Sequence, residues 1–162
     1  MERLKFILIV LVFILPFVFA KYLFENDATT TRGTTNHGVF LSDEINIVDL
    51  KDNDHWIVLQ VIDKDCNVSC QDNMHMLRQI NTALGKDMDR VERYLLVNNT
   101  YKNGVDIDNY PKLVVLDNAE SLYNELTKMD ERIFIADPFG KIILGYGNDF
   151  VAKGLLKDIK KL

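Results

Sequence analysis

The residues with most chemistry to offer are two cysteines separated by three residues, in the run Cys66-Asn67-Val68-Ser69-Cys70. A thiolate is both the nucleophile of thiol–disulfide exchange and the soft ligand that copper(I) prefers. Two sulfurs at this spacing across a loop-to-helix junction can come within disulfide reach, or pinch one metal ion. The free N–H groups and positive dipole end of a helix start lower a thiol pKa. Asp63 and Asp65, in the loop just before, oppose that effect or attract a cation, unless they belong to an ordinary solvated loop. The plainer alternative for the cysteines is a pair of small buried hydrophobes, or an inert disulfide.

Such a junction needs a strand before it and a helix after it. Residues 56–62, WIVLQVI, are a continuous apolar run of strand length, as expected for a strand buried on both faces. Residues 72–84 carry Met74, Leu77, Ile80 and Leu84 at helical spacing, with Gly85 as a C-cap. Residues 93–97 (RYLLV) and 113–116 (LVVL) read as two more buried strands, with Pro111 a loop breaker before the second. Asn118 is placed to cap a helix through about residue 128, with Leu122 and Leu126 on one side. Residues 132–136 and 141–146 form two strands joined by Asp137-Pro138-Phe139-Gly140, which is hairpin-turn chemistry. A last amphipathic helix spans about 150–162. The order βαβ, βα, hairpin, α predicts an α/β fold: a thioredoxin-like mixed sheet flanked by helices.

That frame sorts the other candidate ligands. His55 begins the strand whose far end leads to the cysteines, so at ~3.3 Å per residue it lies more than about 20 Å away and is excluded. His75 follows Cys70 by five positions and points elsewhere on a helix. Met74 shares the face of Cys70, but it is also the first member of the core stripe. His37 stands next to a Thr-rich tether, and nothing in the sequence places it. Neither a nucleotide-binding glycine loop nor a Ser/His/Asp set is visible.

The chain has 162 residues and a formal charge of −5. No basic field exists to collect phosphates, so nucleic acid is not an expected partner. Residues 6–20, FILIVLVFILPFVFA, are uninterruptedly apolar, with Arg3 and Lys5 before them and Lys21 after. Fifteen residues at ~1.5 Å each span about 22 Å, and Tyr22, Leu23 and Phe24 bring the stretch towards the roughly 30 Å of a bilayer interior. This predicts one N-terminal transmembrane helix with its basic end inside, the alternative being a signal peptide cleaved after Val18-Phe19-Ala20. The expected division is an anchor over 1–24, a tether and lead-in segment over 25–53, and a folded domain over 54–162.

The cysteine loop, the strand order and the tail ERIFIADPFGKIILGY…KGLLKDIKKL resemble the Sco/SenC family of membrane-anchored, thioredoxin-like, copper-binding proteins that assist cytochrome c oxidase assembly. The stretch LRQINTALGKDMDRVERYLLV is similar to a smaller set of oxidase-associated bacterial membrane proteins. The resemblance implies a single-pass protein of the inner (plasma) membrane with its C-terminal domain in the periplasm or cell exterior. It implies copper as cargo, Cys66 and Cys70 as metal ligands, and an oxidase subunit or its assembly factors as partner. The sequence departs from the family pattern in placing Asn67 and Gln71 where each cysteine is followed by proline. Asn98 or Asn99 stands for an aspartate, and Met129 for the copper-binding histidine. Met129, just before the strand over 132–136, is then a candidate third ligand, the plainer alternative being a gap-filling core methionine. Two further functions remain open: a thiol–disulfide oxidoreductase with Cys66 and Cys70 as its catalytic couple, and a non-catalytic interaction domain.

Overall fold

The computed structural model describes residues 2–26, 35–41, 44–47, 54–63, 66–98, 107–116 and 119–162. Most of the Thr-rich tether, Asp65, Asn99 and Asn118 lie outside the described residues. The chain divides into two units, Met1–Thr35 and Asn36–Leu162. The first contains helix α1 (Glu2–Asn26). Its described side chains are those of Arg3, Lys5, residues 11–19, Lys21 and Tyr22, and all are exposed. Among the described residues alone, no helix is long and apolar enough to cross a membrane.

Among the described residues, the second unit contains a six-stranded sheet in the order β1-β6-β5-β2-β3-β4. The strands are β1 (Val39–Phe40), β2 (Trp56–Ile62), β3 (Val91–Val97), β4 (Leu113–Leu116), β5 (Ile133–Ala136) and β6 (Ile142–Tyr146). β2, β3 and β4 are parallel, while β5, β6 and β1 add antiparallel to the other side of β2. Helices α2 (Val68–Ala83), α3 (Glu120–Leu126) and α4 (Ala152–Ile159) cover the two faces. The mixed sheet is the one expected.

Alternation along the strands assigns the faces. Ile57, Leu59 and Val61 of β2 join Tyr94, Leu96 and Phe134 under Tyr123 and Leu126 of α3. Val58, with Ile133, Ile135 and Leu144, meets Leu77 and Ile80 of α2 and Leu155 and Ile159 of α4. At the strand ends on this second face, Ile62, Leu95 and Val97 enclose Met74.

Four local features differ from the expected ones or explain them. Helix α2 begins at Val68 rather than 72, because Asn67 caps it: its side-chain oxygen accepts the Cys70 N–H at 3.0 Å. The helix ends where expected, with Gly85 at φ +61°. In the β5–β6 turn, Asp137 Oδ1 accepts the N–H groups of Phe139 and Lys141, both at 2.9 Å, and Gly140 takes φ +84°. Part of the lead-in segment also belongs to the sheet. β1 pairs with β6, Asn46 bridges Lys141, and Ile45 and Ile47 are each only 2 % exposed.

Candidate functional site

Strand β2 delivers the cysteines to one end of the sheet. Cys66 lies just before the Asn67 cap, and Cys70 is in the first turn of α2. The two are joined by a disulfide of 2.04 Å, with Cα atoms 5.2 Å apart. Both are half-buried and pack on the cluster of Ile62, Met74, Leu95 and Val97. Met74 Sδ is 4.0 Å from Cys66 Sγ, so three sulfur atoms gather at this point.

On the open side of Cys70 is a polar cleft of about 230 Å³, lined by Gln60, Asp63, Ser69, Cys70, Arg132 and Asn148 among others. Gln60 is 4 % exposed, the polar member of an otherwise apolar strand. Its Nε2 donates to the Cys70 carbonyl at 3.3 Å and stands 3.9 Å from Cys70 Sγ. Arg132 donates to the carbonyls of Met129 and Glu131, and its other nitrogen lies 4.0 Å from Asp63 Oδ2. The Tyr123 hydroxyl donates to the Asp63 carbonyl at 2.6 Å, fixing the start of the cysteine loop. Asn73, also buried, donates to the Asn148 carbonyl at 3.3 Å and holds the far wall. A buried polar donor beside a disulfide at a helix start is suited to hold negative charge on sulfur when the bond opens.

Sequence reasoning passed over Gln60, although its signal was present: one amide in the run WIVLQVI, and buried amides aim at partners. Arg132 was equally legible as the cation opening the β5 strand.

The other candidates are dispersed. Antiparallel pairing of β5 with β2, Gln60 opposite Ile133, does bring the start of β5 to the cysteine end. Arg132 lines the cleft as a result. Met129, however, packs against the cluster under α3, on the opposite face of the sheet from the cysteines. The expectation had fixed its level along the strands but not its face. His55 sits at the other end of β2, 3.8 Å from Glu92. His75 is exposed and takes a hydrogen bond from Gln79 at 2.9 Å. His37, unplaced by the sequence, is tied to α4: its N–H donates to Asp158 Oδ2 at 2.6 Å and its ring Nδ1 is 3.3 Å from Oδ1. Among the described residues no group of three or more His, Cys, Asp or Glu is arranged to hold a metal ion.

Among the described residues, helices α2, α3 and α4 about a mixed sheet, with a Cys-x-x-x-Cys pair between a central strand and the following helix, define a thioredoxin-like domain. Residues 56–162 match the model of the family described as "transmembrane-like, thioredoxin-like, C-terminal domain", and the chain belongs to that family. No curated protein matches the chain in sequence. Among solved structures it is similar to apo Sco1 from Thermus thermophilus, at TM-score 0.59 and 13% identity over 80% of this chain and 98% of that one. It is similar to copper-bound yeast Sco1 at TM-score 0.52 and 13% identity, over 66% and 77% of the two chains. A thiol:disulfide interchange protein from Bacteroides sp. gives TM-score 0.52 and 14% identity, over 77% and 83%. Likeness at these identities concerns the fold alone.

Proposed function

We propose that this chain is a membrane-anchored, Sco-like factor that handles copper or thiols in the assembly of respiratory cytochrome c oxidase. The observation that carries the proposal is the Cys66–Cys70 pair, side by side at the β2–α2 junction and bordering a polar cleft. The copper-bound structures of similar fold add support. The donor set fits copper(I) as cargo: once reduced, two half-buried cysteines supply two soft thiolates, beside a helix start that favours negative charge. Anchoring through residues 6–24, with the folded domain in the periplasm or cell exterior, is supported by the apolar run and by the transmembrane-like description of the family. The apolar side chains described in α1 also face outward, from Leu11 at 50 % to Phe17 at 77 % exposed. An oxidase subunit or its assembly factors is the proposed partner.

The test is a copper(I) titration of the reduced full chain in detergent against a chromophoric competitor, with Cys66→Ser/Cys70→Ser alongside. One tightly held equivalent that the double variant lacks is the expected result. Equal copper occupancy in the variant refutes it.

A second reading draws on the disulfide itself. As a thiol–disulfide oxidoreductase, the reduced Cys66 and Cys70 would give two electrons and two protons to a partner disulfide, which leaves as a dithiol while the Cys66–Cys70 bond forms. Cys70, which borders the cleft, would be the thiolate that attacks the partner disulfide. A reduction potential close to those of thiol exchangers supports this reading, and a bond that resists reduction by dithiols counts against it.

A further inference from the structure

We infer that Met74 is the third sulfur of a copper(I) site whose other two ligands are Cys66 and Cys70. The inference rests on the metal-handling reading above and deepens it. Met74 Sδ already stands 4.0 Å from Cys66 Sγ. Two sulfurs bonded to one small ion at about 2.3 Å and spread at roughly 120° are about 4 Å apart, so the spacing suits a shared ion. Met74 follows Cys70 by four positions on α2 and therefore shares its face of the helix. Its side chain is 3 % exposed and held among Ile62, Leu95 and Val97, so little flexibility remains to be lost when a metal binds.

The competing donors are elsewhere. Met129 packs on the opposite face of the sheet, His75 is exposed and bonded to Gln79, and His37 is bonded to Asp158. A site of two thiolates and one thioether is entirely soft. The two thiolates alone would also hold zinc(II), so the thioether is the donor that points to copper(I), the softer ion, because zinc(II) takes thiolate, imidazole or carboxylate as its ligands. Its net charge of one negative unit faces the Gln60 amide, 3.9 Å from Cys70 Sγ.

The site forms from the reduced chain. An external dithiol gives two electrons and two protons to the Cys66–Cys70 disulfide and leaves as a disulfide. The two thiols then release their protons as copper(I) binds.

The test uses the reduced full chain in detergent, in four forms: unaltered, Met74→Leu, Met129→Leu and Cys66→Ser/Cys70→Ser. Met74→Leu is a volume-conserving exchange that a packed core tolerates. It is expected to weaken copper(I) binding by about tenfold or more, with zinc(II) binding unchanged, while Met129→Leu binds as the unaltered chain does. Selenomethionine labelling adds a structural readout, because copper X-ray absorption then reports a copper–selenium shell. That shell is expected in the unaltered and Met129→Leu proteins and absent from Met74→Leu. Undiminished copper(I) affinity in Met74→Leu, or a copper–selenium shell that survives it, overturns the inference while leaving the two-cysteine reading intact. Copper held equally by the double serine variant refutes the metal reading itself, and the inference with it.

Discussion

Removing the carboxylate of Asp158 should loosen the folded unit at its N-terminal edge, and the structure sets the size of the effect. Asp158 is 1 % exposed on α4. Its Oδ2 accepts the His37 N–H at 2.6 Å, the Gly38 N–H at 3.1 Å and the Tyr146 hydroxyl at 2.9 Å. The Lys161 ammonium, 3.4 Å away but 44% exposed, adds little. Asp158→Ala deprives three donors of their acceptor at roughly 1–1.5 kcal/mol each, so the expected loss is about 4 kcal/mol. A domain of this size has roughly 5–15 kcal/mol in total, so the variant should fold with a much-reduced margin. Denaturant unfolding followed through Trp56, the single tryptophan, measures the loss. Hydrogen exchange at residues 36–41 should rise with it, because Asp158 is what fastens His37 and Gly38 ahead of β1. A loss below about 1 kcal/mol, with unchanged exchange there, refutes the reasoning.

The same carboxylate predicts an acid limb. Burial works to raise its pKa, but hydrogen bonds from the His37 N–H, the Tyr146 hydroxyl and the Gly38 N–H together hold it below the usual carboxylate value. A group whose folded pKa is depressed contributes fully above its unfolded pKa of about 3.9 and loses that contribution as pH falls through the folded value. The stability gap between the unaltered chain and Asp158→Asn should therefore be flat above about pH 5 and close below about pH 4.

Three further outcomes follow from single contacts. Gly140→Ala puts a side chain at φ +84° with its Cβ 2.8 Å from the Ile47 carbonyl, and should cost about 2–3 kcal/mol in denaturant unfolding; a loss under about 0.5 kcal/mol counts against that strain. Asn67→Ala removes the cap of α2 and should cost about 1 kcal/mol, whereas Asn67→Ser should restore most of it. At the alkaline end, burial and then the Glu92 hydrogen bond push Tyr94 up to about 12, and burial and Asp158 raise Tyr146 as well. Raised phenol pKa values stabilise the fold below the unfolded value of about 10, and that contribution is lost as pH climbs above it. Tyr146→Phe should flatten this alkaline limb; an unchanged slope argues against it.

How much of this the sequence disclosed depends on which elements carry a repeating apolar signal. WIVLQVI reads as a strand because both its faces are buried, and Asp137-Pro138-Phe139-Gly140 reads as a turn because its residue types prescribe one. The first turn of α2 was missed because it projects beyond the core: Val68 is 74 % exposed, so no apolar period begins until Met74. Only the asparagine cap marks that start, and a cap is a single residue. β1 was hidden for a related reason. It is two residues long with both side chains exposed, and its partner in β6 lies more than a hundred positions away. A pairing at that separation leaves no local periodicity to read.

The candidate site divides along the same line, between what a strand's axis reveals and what its pleat reveals. Counting back from β5 placed Met129 at the cysteine end of the sheet, and the antiparallel register supports that level. A level along a strand is only half an address, since adjacent positions face opposite sides and a helix after β4 covers the other one. α3 buries Tyr123 and Leu126 on the Ile57–Leu59–Val61 face, and Met129, three residues past Leu126, goes with them. Met74 is on the face of Gln60 and Ile62 because α2 follows β2 directly and packs back on that side. The stripe Met74, Leu77, Ile80 that marked Met74 as a core residue is therefore also what carries its thioether to the cysteines. At this position burial and ligation are not rival assignments: the core contact supplies the 4.0 Å approach that a shared ion would use.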